Sequence, residues 1–393
     1  MDVFTPTSEA EAAAVVAEAA EAGRSLAIEG HGSKRGLGRS IETSGVLKLS
    51  ALRGIIVYEP DELVITVRAG TPLQEVEAAL AEKNQCLAFE PASWAFEAGA
   101  EATIGGTVAA GVAGSRRVVL GGARDHLIGF RAVNGEGGVF KAGGRVVKNV
   151  TGYDLPKLAA ASFGTLFAMT ELTLRCYPRT EAPTSLVMHD LNVTQGCALL
   201  RKAVGSAWEA TGFCYVPRPA LDRLGAEAEG AQSLTVIRFE GSAESMAARA
   251  KGFAQALAPE ASVDAGDWSQ RLWSEIGQLK PFRDAQNLWR LSVPPAAAPR
   301  ALQLLHPECF VADWAGGLLW LAYGAAAPSA VEVHAAAFDL GGHAMLFRAG
   351  DEMRRSVLVF APRDEATMAL TRRLKQAFDP AGILNPGRMY AGI

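Results

Sequence analysis

Apolar residues recur along this chain with two periods, and the switches between them mark its elements. After Ser8, alanines and valines interleaved with glutamates predict a helix to about Ala22, with Glu11 completing a capping box and Gly23 as the stop. Leu26-Ala27-Ile28 reads as a short buried strand running into Gly30-His31-Gly32-Ser33-Lys34. Val46 to Leu49, Ile55 to Tyr58 and the alternating Leu63 to Arg68 read as further strands. A second helix opens at Thr71-Pro72, with Thr71 as cap, Gln74 completing the box, and Leu73, Val76 and Leu80 as one apolar stripe. Leu172 to Tyr177 closes this first region as a strand, and Pro178 to Pro183 is the expected boundary.

Beyond the boundary, strand and helix patterns alternate. Leu234 to Glu240 predicts a strand, Ala243 to Leu257 a helix and Leu288 to Val293 a strand. Pro299 to Leu305 follows as helix, and Phe310 to Tyr323 as two strands about Gly316-Gly317. Val357 to Phe360 predicts a strand and Glu365 to Phe378 a helix stopped by Asp379-Pro380. The alternation predicts a second α+β domain close to a split βαβ arrangement. No internal repeat stands out.

Composition narrows the choice of function. At 393 residues and 49% hydrophobic, the chain has material for two or three cores. Its net charge of −4 gives no basic excess for a phosphate backbone, which argues against nucleic acid as a partner. The five cysteines are far apart and form no CxxC pair, so neither zinc nor an iron–sulfur cluster has a ligand set. The N-terminus lacks a secretory pattern, and the longest uncharged stretch, 314–331, is broken by glycines and Pro328. A soluble cytoplasmic protein is the expectation.

Gly, at 41 residues, is over-represented and clustered. Gly30-x-Gly32-x-x-x-Gly36 misses the dinucleotide fingerprint by one residue, and no helix pattern follows it. The Walker pattern is absent too. Yet Gly30 to Lys34 and Thr103 to Ser115 both suit close approach of backbone amides to phosphate oxygens, with Ser33 and Lys34 adding a hydroxyl and a cation. Tight turns and helix–sheet contacts explain the same glycines equally well.

The order of motifs resembles the PCMH-type (vanillyl-alcohol oxidase type) FAD-binding family. Glu29 to Lys34 is similar to its pyrophosphate loop, Thr103 to Ser115 to its second flavin loop, and Arg124 to Gly129 to the segment that follows. Gly143 to Leu155 and Phe378 to Arg388 are similar to the glycolate oxidase and D-lactate dehydrogenase branch, and within it to the FAD-binding subunits of bacterial glycolate oxidases. The resemblance implies an α+β fold with an FAD-binding domain of two α+β subdomains over 1–178. An α+β cap domain over 184–345 and a C-terminal segment over 346–393, returning to the flavin, would follow.

It further implies FAD contacts by Gly30, His31, Gly32, Ser33 and Lys34 at the pyrophosphate, and by Thr103, Gly105, Gly106, Gly111, Gly114, Ser115 and Asp125 along the cofactor. Met169 would meet the adenine, with Phe167 crowding that side, and Asn385 and Arg388 would lie near the flavin ring or the cap. The flavin-linked histidine of covalent members falls where this chain has Ser33, so the FAD is expected to be noncovalent. Lys148, Tyr153, Asp154 and Lys157 would brace the strand–helix junction beside the flavin.

Oxidising a 2-hydroxy acid needs a hydride acceptor, a base for the hydroxyl proton and a cation for the carboxylate. The family's histidine-rich metal-binding run is replaced here by Arg348-Ala349-Gly350-Asp351-Glu352-Met353, so no metal site is expected. Arg283, Arg290 and Arg348 are the candidate carboxylate forks, each weighed against a surface or interdomain ion pair. The tryptophans of the second region read most simply as cap core. The resemblance implies an FAD subunit of a glycolate-oxidising complex. A homologous flavoprotein subunit would carry the catalytic site, and an iron–sulfur subunit would take the electrons. A standalone 2-hydroxy acid dehydrogenase and a flavin-free scaffold are the alternatives. With no spanning segment, any membrane association would be peripheral, through the partners.

Overall fold

A computed structural model describes residues 1–93, 100–144, 153–180, 183–224, 230–324 and 327–393. The motif residues 145–152, Lys148 among them, and residues 181–182 of the expected boundary lie outside the described residues. The chain forms two compact units. The first comprises Met1–Ala113, Gly121–Arg179 and Arg363–Ile393, and the second Gly114–Leu120 and Thr180–Pro362. The C-terminal segment is thus divided at Pro362, and the seven residues Gly114–Leu120, which begin at the end of the second glycine segment, belong to the later unit.

In the first unit, β1 (Asp2–Phe4), β2 (Leu26–Glu29) and β3 (Gly45–Lys48) form a small parallel sheet in the order β1-β3-β2. The helix Glu9–Glu21 buries Ala12, Val16 and Ala19 in the same core as Leu26 and Leu47. Ser8 accepts from the Glu11 amide, but the Glu11 carboxylate reaches back to the Thr7 amide at 2.7 Å rather than closing a box on Ser8.

A five-stranded antiparallel sheet takes β4 (Ile55–Glu59), β5 (Val64–Arg68), β7 (Leu127–Asn134), β8 (Val139–Gly143) and β9 (Phe167–Arg175) in the order β4-β5-β9-β7-β8. A two-stranded ladder of β6 (Gln85–Cys86) and β10 (Tyr177–Pro178) lies apart from it in the hydrogen bonding. The helix Leu73–Ala81 buries the expected stripe, Leu73, Val76 and Leu80. Thr71 does not cap it: its hydroxyl donates to Arg68 O and accepts from the Gly54 amide instead, tying β5 to the turn before β4. Phe167 stacks on Phe130 at 5.1 Å and meets Phe378 edge-on, so it is part of the core.

The second unit is one eight-stranded antiparallel sheet. Its strands are β11 (Thr184–His189), β12 (Gly212–Pro217), β13 (Ser233–Phe239), β14 (Ser262–Ala265), β15 (Asn287–Ser292), β16 (Cys309–Asp313), β17 (Leu318–Tyr323) and β18 (His343–Arg348). The order is β14-β11-β13-β12-β16-β17-β15-β18. Strands β11–β14 and β15–β18 are therefore two βαββαβ halves of identical topology, joined through their second strands at Tyr215–Ala312. The split βαβ pattern occurs twice, a repeat of topology that no repeat of sequence announces. Each half places two helices on one face, among them Val193–Val204 and Ala243–Leu257, and one core runs beneath all four.

The other face receives the alternate strand residues and is met by the helix Asp267–Gly277, where Arg238 stacks on Trp273 at 4.5 Å. Val357 to Phe360 is not a strand. It touches β18 through the Leu346 amide to Val359 O and an isolated bridge to Phe360, too little pairing for a ladder.

Candidate functional site

Four features shape the first glycine loop. Arg35 reaches back across it to hold both oxygens of Glu29, at 3.0 and 2.8 Å. Main-chain bonds from Arg35 N to Gly32 O and from Leu37 N to Lys34 O then wind it into consecutive turns. Gly32 sits at φ +82°, a conformation that side chains resist. Gly30 packs directly on Thr103: a Cβ there would lie 2.2 Å from the threonine Oγ1. The two glycine segments of the sequence thus meet at these two residues.

The loop suits an anion. The amides of His31, Gly32 and Ser33 find no acceptor among the described residues, and Gly32 and Ser33 are buried. Buried amides without partners are uncommon and call for one. Burial also pushes the Lys34 ammonium down to about 7. A pyrophosphate would satisfy the amides and restore that charge. His31 lies 3.6 Å from Glu101 through its Nδ1.

Lys34 supplies a pH test. An anion beside it favours its charged form, so binding above pH 7 takes up a proton. FAD affinity is expected to fall by about tenfold per pH unit above pH 7, until the raised pKa of the complex is reached. Fluorescence titration of FAD from pH 6 to 9 should show this slope in the wild type and lose it in Lys34→Met. A flat wild-type profile would refute it.

The second segment is not the open loop the glycines suggested. Ile104–Ala110 is a helix with Thr103 as N-cap and Gly111 in the left-handed region as C-cap. Its first amides are already used: Ile104 N bonds Thr71 O, Gly105 N bonds Ala69 O, and Gly106 N bonds Thr103 Oγ1. Gly105 packs against Ala69 and Gly111 against Ala161, each too close for a Cβ. Both glycines are packing positions, Gly105 against the residue after β5 and Gly111 against a turn residue.

Asn385 and Arg388 hold the first loop from outside. Asn385 Oδ1 accepts from the Ile28 amide at 2.9 Å, and its Nδ2 donates to Phe163 O at 2.7 Å. Arg388 donates to Arg35 O at 2.7 Å, and its own carbonyl accepts from the Arg39 amide. Both polar ends of the Asn385 side chain are therefore committed to the protein. Asp125 is committed as well, its Oδ2 accepting from Gly122 N to cap the helix Ala123–His126. Met169 is buried in the core of the five-stranded sheet. Asp154 and Lys157 pair with each other on the surface, and Tyr153 is exposed.

In the second unit, Gly114 and Ser115 belong to a polar knot. Ser115 donates to Asp313 Oδ2 at 2.7 Å, Trp314 Nε1 donates to Gly114 O at 3.1 Å, and Arg116 forks onto both oxygens of Glu240. Burial would raise the Glu240 pKa, but Arg238 and Arg116 outweigh it and hold it at about 2.

The three candidate arginines separate here. Arg348 spends its guanidinium on Phe282 O and Arg283 O, and Arg283 is exposed. Arg290, half-buried on β15, meets no carboxylate among the described residues. It lies over Trp314 at 5.3 Å, and Arg117 lies over the same ring at 5.2 Å. Burial and the neighbouring Arg117 push it down to about 10, so it stays charged at neutral pH. Sequence reasoning missed Arg117; Trp314 is buried as expected of a core residue and also offers its ring to both arginines. The Arg116-Arg117 doublet closing a glycine-rich run was the available signal.

A family model described as FAD binding domain matches residues 2–143, and one for the C-terminal domain of FAD linked oxidases matches 353–389. The chain belongs to this family of FAD-linked oxidases, with the PCMH-type fold and FAD as its cofactor. Within the family it is 36% identical over 368 residues to the glycolate oxidase subunit GlcE of Escherichia coli (strain K12), covering 94% of this chain and 93% of that subunit. It is 24% identical to the glycolate oxidase subunit GlcD of Bacillus subtilis (strain 168), over 88% of this chain and 79% of that one. A solved alkyldihydroxyacetonephosphate synthase shares the fold, with a TM-score of 0.70 at 16% identity over 98% of this chain and 76% of that one. Among the described residues no helix is long and apolar enough to cross a membrane.

Proposed function

We propose that this chain is the FAD-binding subunit of a complex that oxidises glycolate to glyoxylate and passes the electrons to partner subunits. The observation that carries this reading is the similarity to a glycolate oxidase subunit over almost the full length of both chains. FAD, when bound, supplies the acceptor for the hydride leaving the α-carbon. The amides of His31, Gly32 and Ser33, with Lys34, would hold its pyrophosphate noncovalently. Thr103, through its contact with Gly30, would set the distance between loop and helix.

Arg290 is the residue of this chain proposed to take a substrate carboxylate, in addition to the catalytic site that the homologous flavoprotein subunit would carry. A fork that meets no carboxylate among the described residues, beside a second cation and against an aromatic face, favours a small anion over an internal ion pair. The sequence holds no cysteine set for a cluster, so electrons leaving the flavin go to another protein or to a diffusible acceptor, and the proposal takes the first. The proposed partners are a homologous flavoprotein subunit and an iron–sulfur subunit, with any membrane attachment peripheral and made through them.

Anaerobic mixing of the purified chain with glycolate, alone and with its partners, tests this while the spectrum is followed. We expect yellow protein that bleaches in the assembled complex. A folded chain that neither carries nor takes up FAD would sink the proposal. Bleaching without partners would replace it with a standalone 2-hydroxy acid dehydrogenase.

A further inference from the structure

The first glycine loop is fastened by residues that follow it at great distance in sequence: Asn385 and Ile28 are 357 positions apart. Residues 383–385 run beside β2, with Leu26 N bonded to Ile383 O and Asn385 N to Leu26 O. Asn385 then grips the chain before the loop, and Arg388 grips it at Arg35 and Arg39. What roots this clasp is a buried ion pair on the last helix, Glu365–Phe378, and the residue after it.

We infer that Lys375 and Asp379 are positioning residues for the cofactor loop, acting through the clasp at 383–388. Lys375 is 7% exposed and Asp379 1%. The Lys375 Nζ donates to Thr165 O at 2.7 Å, to Asp379 Oδ2 at 2.6 Å and to Leu384 O at 2.8 Å, which uses all three of its protons. Asp379 Oδ1 accepts from Ile383 N at 3.1 Å, and Oδ2 from Leu384 N at 2.8 Å. The carboxylate thereby folds 379–384 into the turn that delivers Asn385 at its left-handed φ of 42°. An apolar pair of equal volume would avoid the cost of burying two charges, yet could not accept from two successive amides.

The inference rests on the reading that the loop holds the FAD pyrophosphate, and its test separates the two. Apoprotein is prepared as wild type, as the isosteric Asp379→Asn, and as the charge-free double variant Lys375→Met/Asp379→Leu. FAD affinity is measured by fluorescence quenching below the melting temperature, with hydrogen exchange at Ile28, Leu384 and Asn385. If the loop is competent in roughly one molecule in ten or fewer, affinity falls about tenfold or more. That fall is expected in each folded variant, with faster exchange at the three amides. The double variant should regain thermal stability without regaining FAD affinity, which a merely structural pair would not produce. Affinity within twofold of wild type in either folded variant, with only the melting temperature lowered, overturns the inference alone. Wild-type apoprotein that takes up no FAD overturns the underlying reading as well.

Discussion

A Gly30→Ala variant is expected to fold but purify without flavin. The added Cβ would sit 2.2 Å from Thr103 Oγ1 and 2.7 Å from its Cγ2, far inside contact distance. Thr103 cannot swing away freely, because its hydroxyl caps the helix Ile104–Ala110, a contact worth about 0.5–2 kcal/mol. The loop must move instead, and the amides of His31, Gly32 and Ser33 move with it. An outward shift of an ångström leaves main-chain donors too far from the phosphate oxygens for useful hydrogen bonds. FAD affinity should drop by roughly a hundredfold, as expected when about two donors at about 1.5 kcal/mol each are lost to a charged acceptor. Thr103→Ala in the same chain removes Oγ1 and Cγ2 and should restore part of the affinity. Normal flavin content in Gly30→Ala would show that the loop is not a cofactor cradle.

The second large effect concerns the substrate. In the assembled complex, Arg290→Met should weaken glycolate binding by roughly 30-fold or more, the usual loss when one partner of a desolvated charge pair is truncated. Arg290→Lys should recover little, since an ammonium cannot make the two parallel bonds of a guanidinium. Arg283→Met, on an exposed residue, serves as the control and should bind glycolate normally. Binding is read from the perturbation of the flavin spectrum by glycolate, separately from turnover. Flavin content should stay unchanged in Arg290→Met. Glycolate affinity within twofold of wild type would remove Arg290 from the site.

Local elements were largely legible because local forces set them. The helices Ala243–Leu257 and Glu365–Phe378 end where the pattern said, since stop signals and amphipathic periods are properties of neighbouring residues. Caps were less legible. Thr71 is a good capping residue by type, but a strand-end carbonyl and the Gly54 amide compete for its hydroxyl. Val357 to Phe360 has the composition of a strand and lacks a partner ladder along its length, and pairing is a tertiary property. The glycines of the second segment posed the same difficulty. Gly105 and Gly111 are small because Ala69 and Ala161 pack on them, and nothing in the local sequence tells a packing glycine from a ligand-approach glycine.

The sequence alone determined the two α+β regions, the cofactor class through its ordered motifs, and the position of the first glycine loop. The regions and the loop depend on short stretches of neighbouring residues, and the cofactor class on the resemblance of the ordered motifs to a known family. Only the tertiary structure decided that Asn385 and Arg388 hold the loop, and that Arg290, unlike Arg348, meets an aromatic face and no carboxylate or carbonyl among the described residues. Each of those roles depends on which polar groups are already satisfied. That is settled by contacts between residues up to 357 positions apart, and no local pattern encodes them.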